Sequence, residues 1–222
     1  MSHYNNTIVK KPWGYEYLAY ENEEVGLWCL FIAKDQQTSM HCHPNKGTGL
    51  ILLDGEVDVS FFNDVFKLRS GNKLMIRKGL FHSTKAISET GSIVFEIEAP
   101  KQKHDLVRLE DKYGRKATPY EGSAFEMPKN EECVWFTDPA KNSSQEYDFA
   151  NCKIIMESVT NGDALRNKGD SDNIMFLKGG ILTNDNKVAQ PGDVVAGHIV
   201  KKLLDTFPDV DPETIIMTIK RK

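Results

Sequence analysis

The stretch TSMHCHPNKGTGLILLDGEV, residues 38–57, places two histidines, His41 and His43, one residue apart. On a strand, side chains at i and i+2 project from the same face, so the two imidazoles would stand together, about 7 Å apart along the chain. That is how two adjacent ligands of one metal ion are arranged. An HxH pair alone is a weak signal, since strands carry one by chance. A second block strengthens it: Gly55 closes the apolar run, and Gly71, Arg77, Lys78, Gly79 and His82 follow at short spacing. Cys42, between the two histidines, would point to the opposite face, outside a barrel, and has no expected ligand role.

The elements that must carry these residues read as strands. GLWCLFIA (26–33), GLILLDG (49–55), EVDVSFF (56–62), NKLMIRK (72–78) and SIVFEIE (92–98) are rich in β-branched and aromatic residues and bounded by turn formers. Turn signals roughly every 10 residues suggest an all-β sandwich or barrel. The best helical stretch is short, HIVKKLLDTF (198–207), and Pro208 ends it. Between Tyr113 and about Asn151 the chain turns polar and rich in Pro, Gly and Ser, as a connecting segment would, and the island VWF (134–136) within it should pack onto a barrel.

Past Asn151 a weaker copy of the first half follows. LLDGEVDV (52–59) aligns with FLKGGILT (176–183), pairing Gly55 with Gly179. KLRSGNKLMI (67–76) aligns with VAQPGDVVAG (188–197), pairing Gly71 with Gly192, and IVFEI (93–97) aligns with IIMTI (215–219). Two tandem β-barrels are expected. The divisions are 1–8 as an N-terminal tail, 9–115 as the first barrel, 116–150 as a connecting segment and 151–222 as a degenerate second barrel. In this alignment Leu165, Asn167 and Leu203 fall opposite His41, His43 and His82, and the half's one histidine, His198, falls on no ligand position.

With 222 residues, 27% of them charged and a net charge of −4, the composition is that of an ordinary globular protein and gives no support to nucleic-acid or anionic-membrane binding. The polar start MSHYNNTIVKKPWG has no apolar signal region, and no apolar run approaches the roughly 20 residues of a membrane span. Cys29, Cys42, Cys133 and Cys152 form no CxxC pair and read as isolated thiols, which fits a reducing, cytoplasmic setting.

The two blocks resemble the paired motifs of the cupin superfamily, a double-stranded β-helix or jelly-roll fold. His41, His43 and Gly55 match the first motif; Gly71, Gly79 and His82 match the second. The resemblance implies that His41, His43 and His82 converge inside the first barrel and hold one divalent transition metal, Zn, Fe, Ni or Mn. Three neutral imidazoles suit Zn, Fe, Ni or Cu better than Mg or Ca, and leave open positions for water or substrate. Three motif residues differ. Thr48 stands at the family glutamate, Arg77 at the proline and Ala86 at the terminal asparagine.

KKPWGYEYL (10–18) and FEIEAPKQKHDLVRLEDKYGR (95–115) are similar to the opening and closing stretches of the cupin domain in mannose-1-phosphate guanylyltransferase and type II mannose-6-phosphate isomerase. This narrower resemblance covers residues 9–115. It implies a sugar phosphate or nucleotide sugar as substrate and isomerase or epimerase chemistry in polysaccharide or nucleotide-sugar metabolism. His41 falls where that family has Gln, and Ser83 where it has Arg. Such chemistry needs a base to move a proton between neighbouring carbons. Glu96 and Glu98, on one face of SIVFEIE, are the catalytic candidates. Arg77, Lys78 and Lys85, flanking His82, are the candidates for holding a phosphate. Arg108 is expected to pair with Glu110 or Asp111, and Trp13, Tyr15 and Tyr17 to line a sugar pocket or to pack. A homodimer is expected from pairing of sheet edges. The rival readings are a three-histidine iron dioxygenase and a carbohydrate-binding module without turnover.

Overall fold

A computed structural model describes Tyr4, residues 6–115, 125–126 and 133–222. In the first half the strands pair from the outside inward. Gly26–Ile32 lies beside Ser92–Ala99, and Met40–Cys42 meets the chain before and along Ser83–Ala86 through the bridges His41↔His82 and Gln37↔Lys85. Gly47–Asp54 lies beside Lys73–Ile76, and Glu56–Ser60 beside Val65–Arg69. First with last, second with second-last: this nesting is a long hairpin rolled into a jelly roll, the double-stranded β-helix. Further pairing of Ser92–Ala99 with Gly47–Asp54 and of Glu56–Ser60 with Ser83–Ala86 completes its two sheets. Alternation decides which side chains enter: Val57 and Val59 are buried while Glu56, Asp58 and Ser60 between them are half-exposed.

The second half repeats the nesting. Cys152–Val159 pairs with Thr214–Arg221, Asn173–Lys178 with Val194–Ala196, and Ile181–Leu182 with Lys187–Ala189. The glycine alignment is borne out in the backbone. Gly55 and Gly179 end matching strands with φ of 85° and 70°, and Gly71 and Gly192 sit in matching turns with φ of 85° and 96°. A Cβ at Gly55 would come within 2.6 Å of Ser92 Oγ, and one at Gly179 within 2.5 Å of Thr214 Oγ1. Only glycine takes both the left-handed backbone and the close approach.

One pair of elements differs between the halves. Where the first has Met40–Cys42 and the strand after His82, the second has two helices, Gly162–Arg166 and Gly197–Thr206. Arg166 ties them together through Asp205 and the Leu204 carbonyl. Leu165 and Leu203, aligned with His41 and His82, lie on these helices and contribute to an apolar core. His198 is on the second helix and donates through Nδ1 to the Asp170 carbonyl on an exposed flank.

The halves share their largest core. Ile51, Leu53, Phe95 and Ile97 from the first sheet pack against Ile154, Met156, Met175 and Met217 from the second. The strand LILL is therefore buried on both faces, with Leu50 and Leu52 turned into the first barrel and Ile51 and Leu53 into the junction. The VWF island packs here as expected, with Phe136 buried and its amide bonded to the Ala19 carbonyl. Two boundaries shift. Ile8–Lys11 is already a strand, paired with Gly14–Glu21, and Ser144–Phe149, inside the expected connecting segment, pairs with Cys152–Val159. The rest of that segment, 116–124 and 127–132, lies outside the described residues.

Phe95 is fully buried at the junction, with Phe136 edge-on at 5.9 Å and Phe149 stacked at 6.3 Å. Phe95→Ala is expected to lower stability by about 3–5 kcal/mol. Circular dichroism and tryptophan fluorescence in urea should still report one coincident transition, because the core belongs to both halves. Two separated transitions in the parent protein would refute the shared core.

Candidate metal centre

His41 and His82 face each other across a two-way backbone bridge, with N–H···O distances of 3.0 and 2.8 Å. His43 lies just beyond the strand end, where its carbonyl accepts from the Gly79 amide at 2.8 Å. The three rings converge, with centroids 4.9 Å apart for His41–His43, 4.5 Å for His41–His82 and 5.5 Å for His43–His82. One nitrogen from each lies within 4.8 Å of the others, and all three residues are buried. The triad expected from the two blocks is thus a single cluster. Cys42 is buried rather than turned to solvent, and stands outside the cluster.

Each ring is oriented by a backbone carbonyl. Nδ1 of His41 donates to Ser39 O at 2.7 Å, that of His43 to Asp105 O at 2.6 Å, and that of His82 to Leu80 O at 3.0 Å. A carbonyl can only accept, so Nδ1 carries the proton in all three and Nε2 carries the lone pair. Burial pushes the pKa of every ring down. That of His41 falls well below the usual range, helped by its two neighbours, and that of His43 falls to about 3, with Lys46 adding to the effect; His82 is lowered in the same way. The rings are neutral donors. His43 Nε2 is buried and has no hydrogen-bond partner among the described residues. A buried acceptor left unmatched is destabilising unless a ligand meets it. The donor set fits a divalent transition metal, bound through the three Nε2 atoms.

The two glutamates separate. Glu96 borders the cavity beside the triad, with Oε1 3.8 Å from His43 Nε2. Burial raises its carboxyl to about 7, against the opposing pull of Lys103 and Lys46. Glu98 is sealed inside. It contacts the ammonium of Lys46 and accepts from Trp28 Nε1 at 3.0 Å. Lys46 is itself 2% exposed and also donates to the Gln102 carbonyl. Glu98 therefore has a structural ion pair in place of the expected access to substrate.

Nor do the expected phosphate-binding cations reach the cavity. Arg77 and Lys78 are exposed on the turn before His82, and Lys85 points to Asp35 at 3.5 Å. Strand geometry explains Lys85, three residues from His82 and so on the other face. The cations that border the cavity are Lys11, Lys46, Lys103, Arg108 and Arg115. Arg108 stands opposite His41 in the pairing of Val107–Glu110 with Met40–Cys42, and Arg115 grips Asp111. The signal that marks both is the run DLVRLEDKYGR, which carries Arg108 and Arg115 together. Trp13 borders the cavity, whereas Tyr15 stacks on Phe31 and Tyr17 packs into the junction near Trp135. The cavity has a volume of about 60 Å³, room for a few water molecules.

No protein-family model matches the chain, and no curated protein does. Among solved structures, KdgF from Halomonas sp. is 14% identical with a TM-score of 0.41, covering 43% of this chain and 88% of that one. A conserved protein with a double-stranded β-helix domain from Klebsiella pneumoniae is 16% identical with a TM-score of 0.41, covering 48% of this chain and 88% of that one. An RmlC-like cupin from Shewanella frigidimarina is 16% identical with a TM-score of 0.40, covering 46% of this chain and 91% of that one.

Proposed function

We propose that the first barrel is a mononuclear metal site that isomerises or epimerises a sugar phosphate or nucleotide sugar. The observation that carries this is the buried, unmatched Nε2 of His43, in a ring of neutral donors and 3.8 Å from the Glu96 carboxyl. A divalent metal held by His41, His43 and His82 would polarise a neighbouring carbonyl and hydroxyl oxygen of the substrate. Glu96, with a pKa near neutrality, is matched to taking and returning a proton. Its carboxylate accepts the proton from the carbon bearing the hydroxyl, and that C–H electron pair becomes the double bond of an enediol. Returning the proton to the neighbouring carbon completes aldose–ketose exchange; inverting the same carbon would take a proton delivered to its opposite face by solvent, with Glu96 keeping the one it removed. In aldose–ketose exchange the hydroxyl proton moves to the former carbonyl oxygen, so the balance closes without a co-reactant; in inversion the carbonyl and hydroxyl are regenerated unchanged. The cavity takes the two reacting carbons and their oxygens, with the remainder of the substrate directed outward.

Protein loaded separately with Zn, Mn, Ni and Fe(II), incubated with aldose and ketose phosphates and nucleotide sugars in D2O, should wash deuterium into the carbon beside the carbonyl, as read by NMR. No exchange with any pairing would overturn the reading. A second reading keeps one support, a ligand group of three histidines without a carboxylate. Substrate-dependent O2 uptake by the Fe(II) form, without deuterium exchange, would favour oxygenation.

A further inference from the structure

The position of His43 differs from that of its partners. His41 and His82 are fixed by the backbone bridge between them, whereas His43 lies past the strand end. What crosses over it is the segment that leaves Ser92–Ala99 and returns to pair with Met40–Cys42. Asp105 in that segment makes two kinds of contact with the histidine turn. Its carbonyl accepts from His43 Nδ1 at 2.6 Å. Its carboxylate holds the residues that follow: Oδ2 accepts from the Asn45 amide at 2.8 Å and the Lys46 amide at 3.1 Å, and Oδ1 from Asn45 Nδ2 at 2.8 Å. The Asp105 amide is tied back to the Gln102 carbonyl at 3.0 Å, and that carbonyl also receives the Lys46 ammonium.

We infer that Asp105 is a positioning residue for the metal site: one side chain clamps the turn 43–46 so that the same residue's carbonyl sets the His43 ring with Nε2 toward the other two. The carboxylate never faces the cavity, so its effect is exerted through His43 and Lys46. Charge-assisted bonds to a carboxylate are strong, and two from backbone amides with a third from the Asn45 side chain make the clamp stiff. Groups that orient a ligating histidine typically change metal affinity 10–100-fold when removed. The inference rests on the metal reading above, and the test separates the two.

Co(II) serves as the probe, because its visible absorption reports both occupancy and ligand geometry. The parent protein should bind Co(II) with a band characteristic of few-coordinate nitrogen ligation, and His43→Ala should lose it. Asp105→Ala should bind Co(II) about 10–100-fold more weakly and with a shifted, weaker band. Asp105→Asn keeps the shape and one acceptor oxygen, and should recover part of the affinity. Asn45→Ala, which removes one clamp bond and leaves the carboxylate in place, should fall between parent and Asp105→Ala. If Asp105→Ala does not fold, Asp105→Asn and Asn45→Ala carry the same comparison. Parent-like affinity and spectrum in the Asp105 variants, alongside loss in His43→Ala, would overturn this inference and leave the metal site standing. Failure of the parent to bind Co(II) would overturn both.

Discussion

Replacing His82 by alanine is expected to remove the metal while leaving the barrel folded. The backbone bridge between positions 41 and 82 uses N–H and C=O groups only, so it survives the truncation. The side chain is 2% exposed, with its Nδ1 spent on the Leu80 carbonyl, and contributes its remaining nitrogen to the cluster. Losing one of three ligands should weaken binding by more than the roughly 100-fold seen for orienting groups. His41→Ala should behave alike. Lys85→Gln, on the opposite face of the strand, should leave binding unchanged. Metal analysis paired with circular dichroism checks this. Unaltered metal content in a folded His82→Ala protein would contradict the assignment.

Glu96→Gln should separate catalysis from stability. Loss of the proton carrier is expected to lower turnover about 10²–10⁴-fold with metal retained. The metal-free variant should also be more stable than the parent at alkaline pH. The folded carboxyl has a pKa of about 7, above the ordinary value near 4.3. A raised carboxyl pKa means the folded state holds the proton more tightly. That advantage is complete below the ordinary pKa and disappears as pH rises through 7, leaving a desolvated carboxylate at a cost of about 4 kcal/mol. Glutamine carries no such cost. The variant's gain in urea midpoint should therefore be near zero at pH 4, grow between pH 4 and 7, and level off at pH 8. A variant less stable than the parent at pH 8 would show that the ionised carboxylate is well accommodated, and would remove Glu96 as a near-neutral base.

The positions that sequence spacing identified are those governed by local rules. HxH on a strand, Gly55 and Gly71 at left-handed turns, and the alternation in EVDVS each follow from the period of a strand. The pairing of Gly55 with Gly179 and Gly71 with Gly192 extended the same rules to a second jelly roll. What escaped was set by contacts across the chain. Glu96 and Glu98 share one face in SIVFEIE. Only the approach of Lys46, paired to Glu98 from 52 residues away, turns one into an ion pair and leaves the other at the cavity. Arg77, Lys78 and Lys85 are near His82 in sequence, but a turn and an odd strand offset carry them away. Arg108 reaches the site on a strand that folds back beside Met40–Cys42, and Arg115 on the chain that follows it. In the second half, GDALR and GHIVKKLLDT form helices where the first half has the histidine-bearing strands. There an apolar core takes the place of the cluster, Leu165 and Leu203 standing for His41 and His82.

The most direct test of the metal centre is elemental analysis of protein purified without a metal-chelating tag. A single three-histidine site implies about one transition-metal ion per chain, falling to near zero in His41→Ala and His82→Ala proteins that remain folded. A parent that takes up no transition metal when offered Zn, Mn, Ni or Fe(II), or histidine variants that hold as much as the parent, would contradict it.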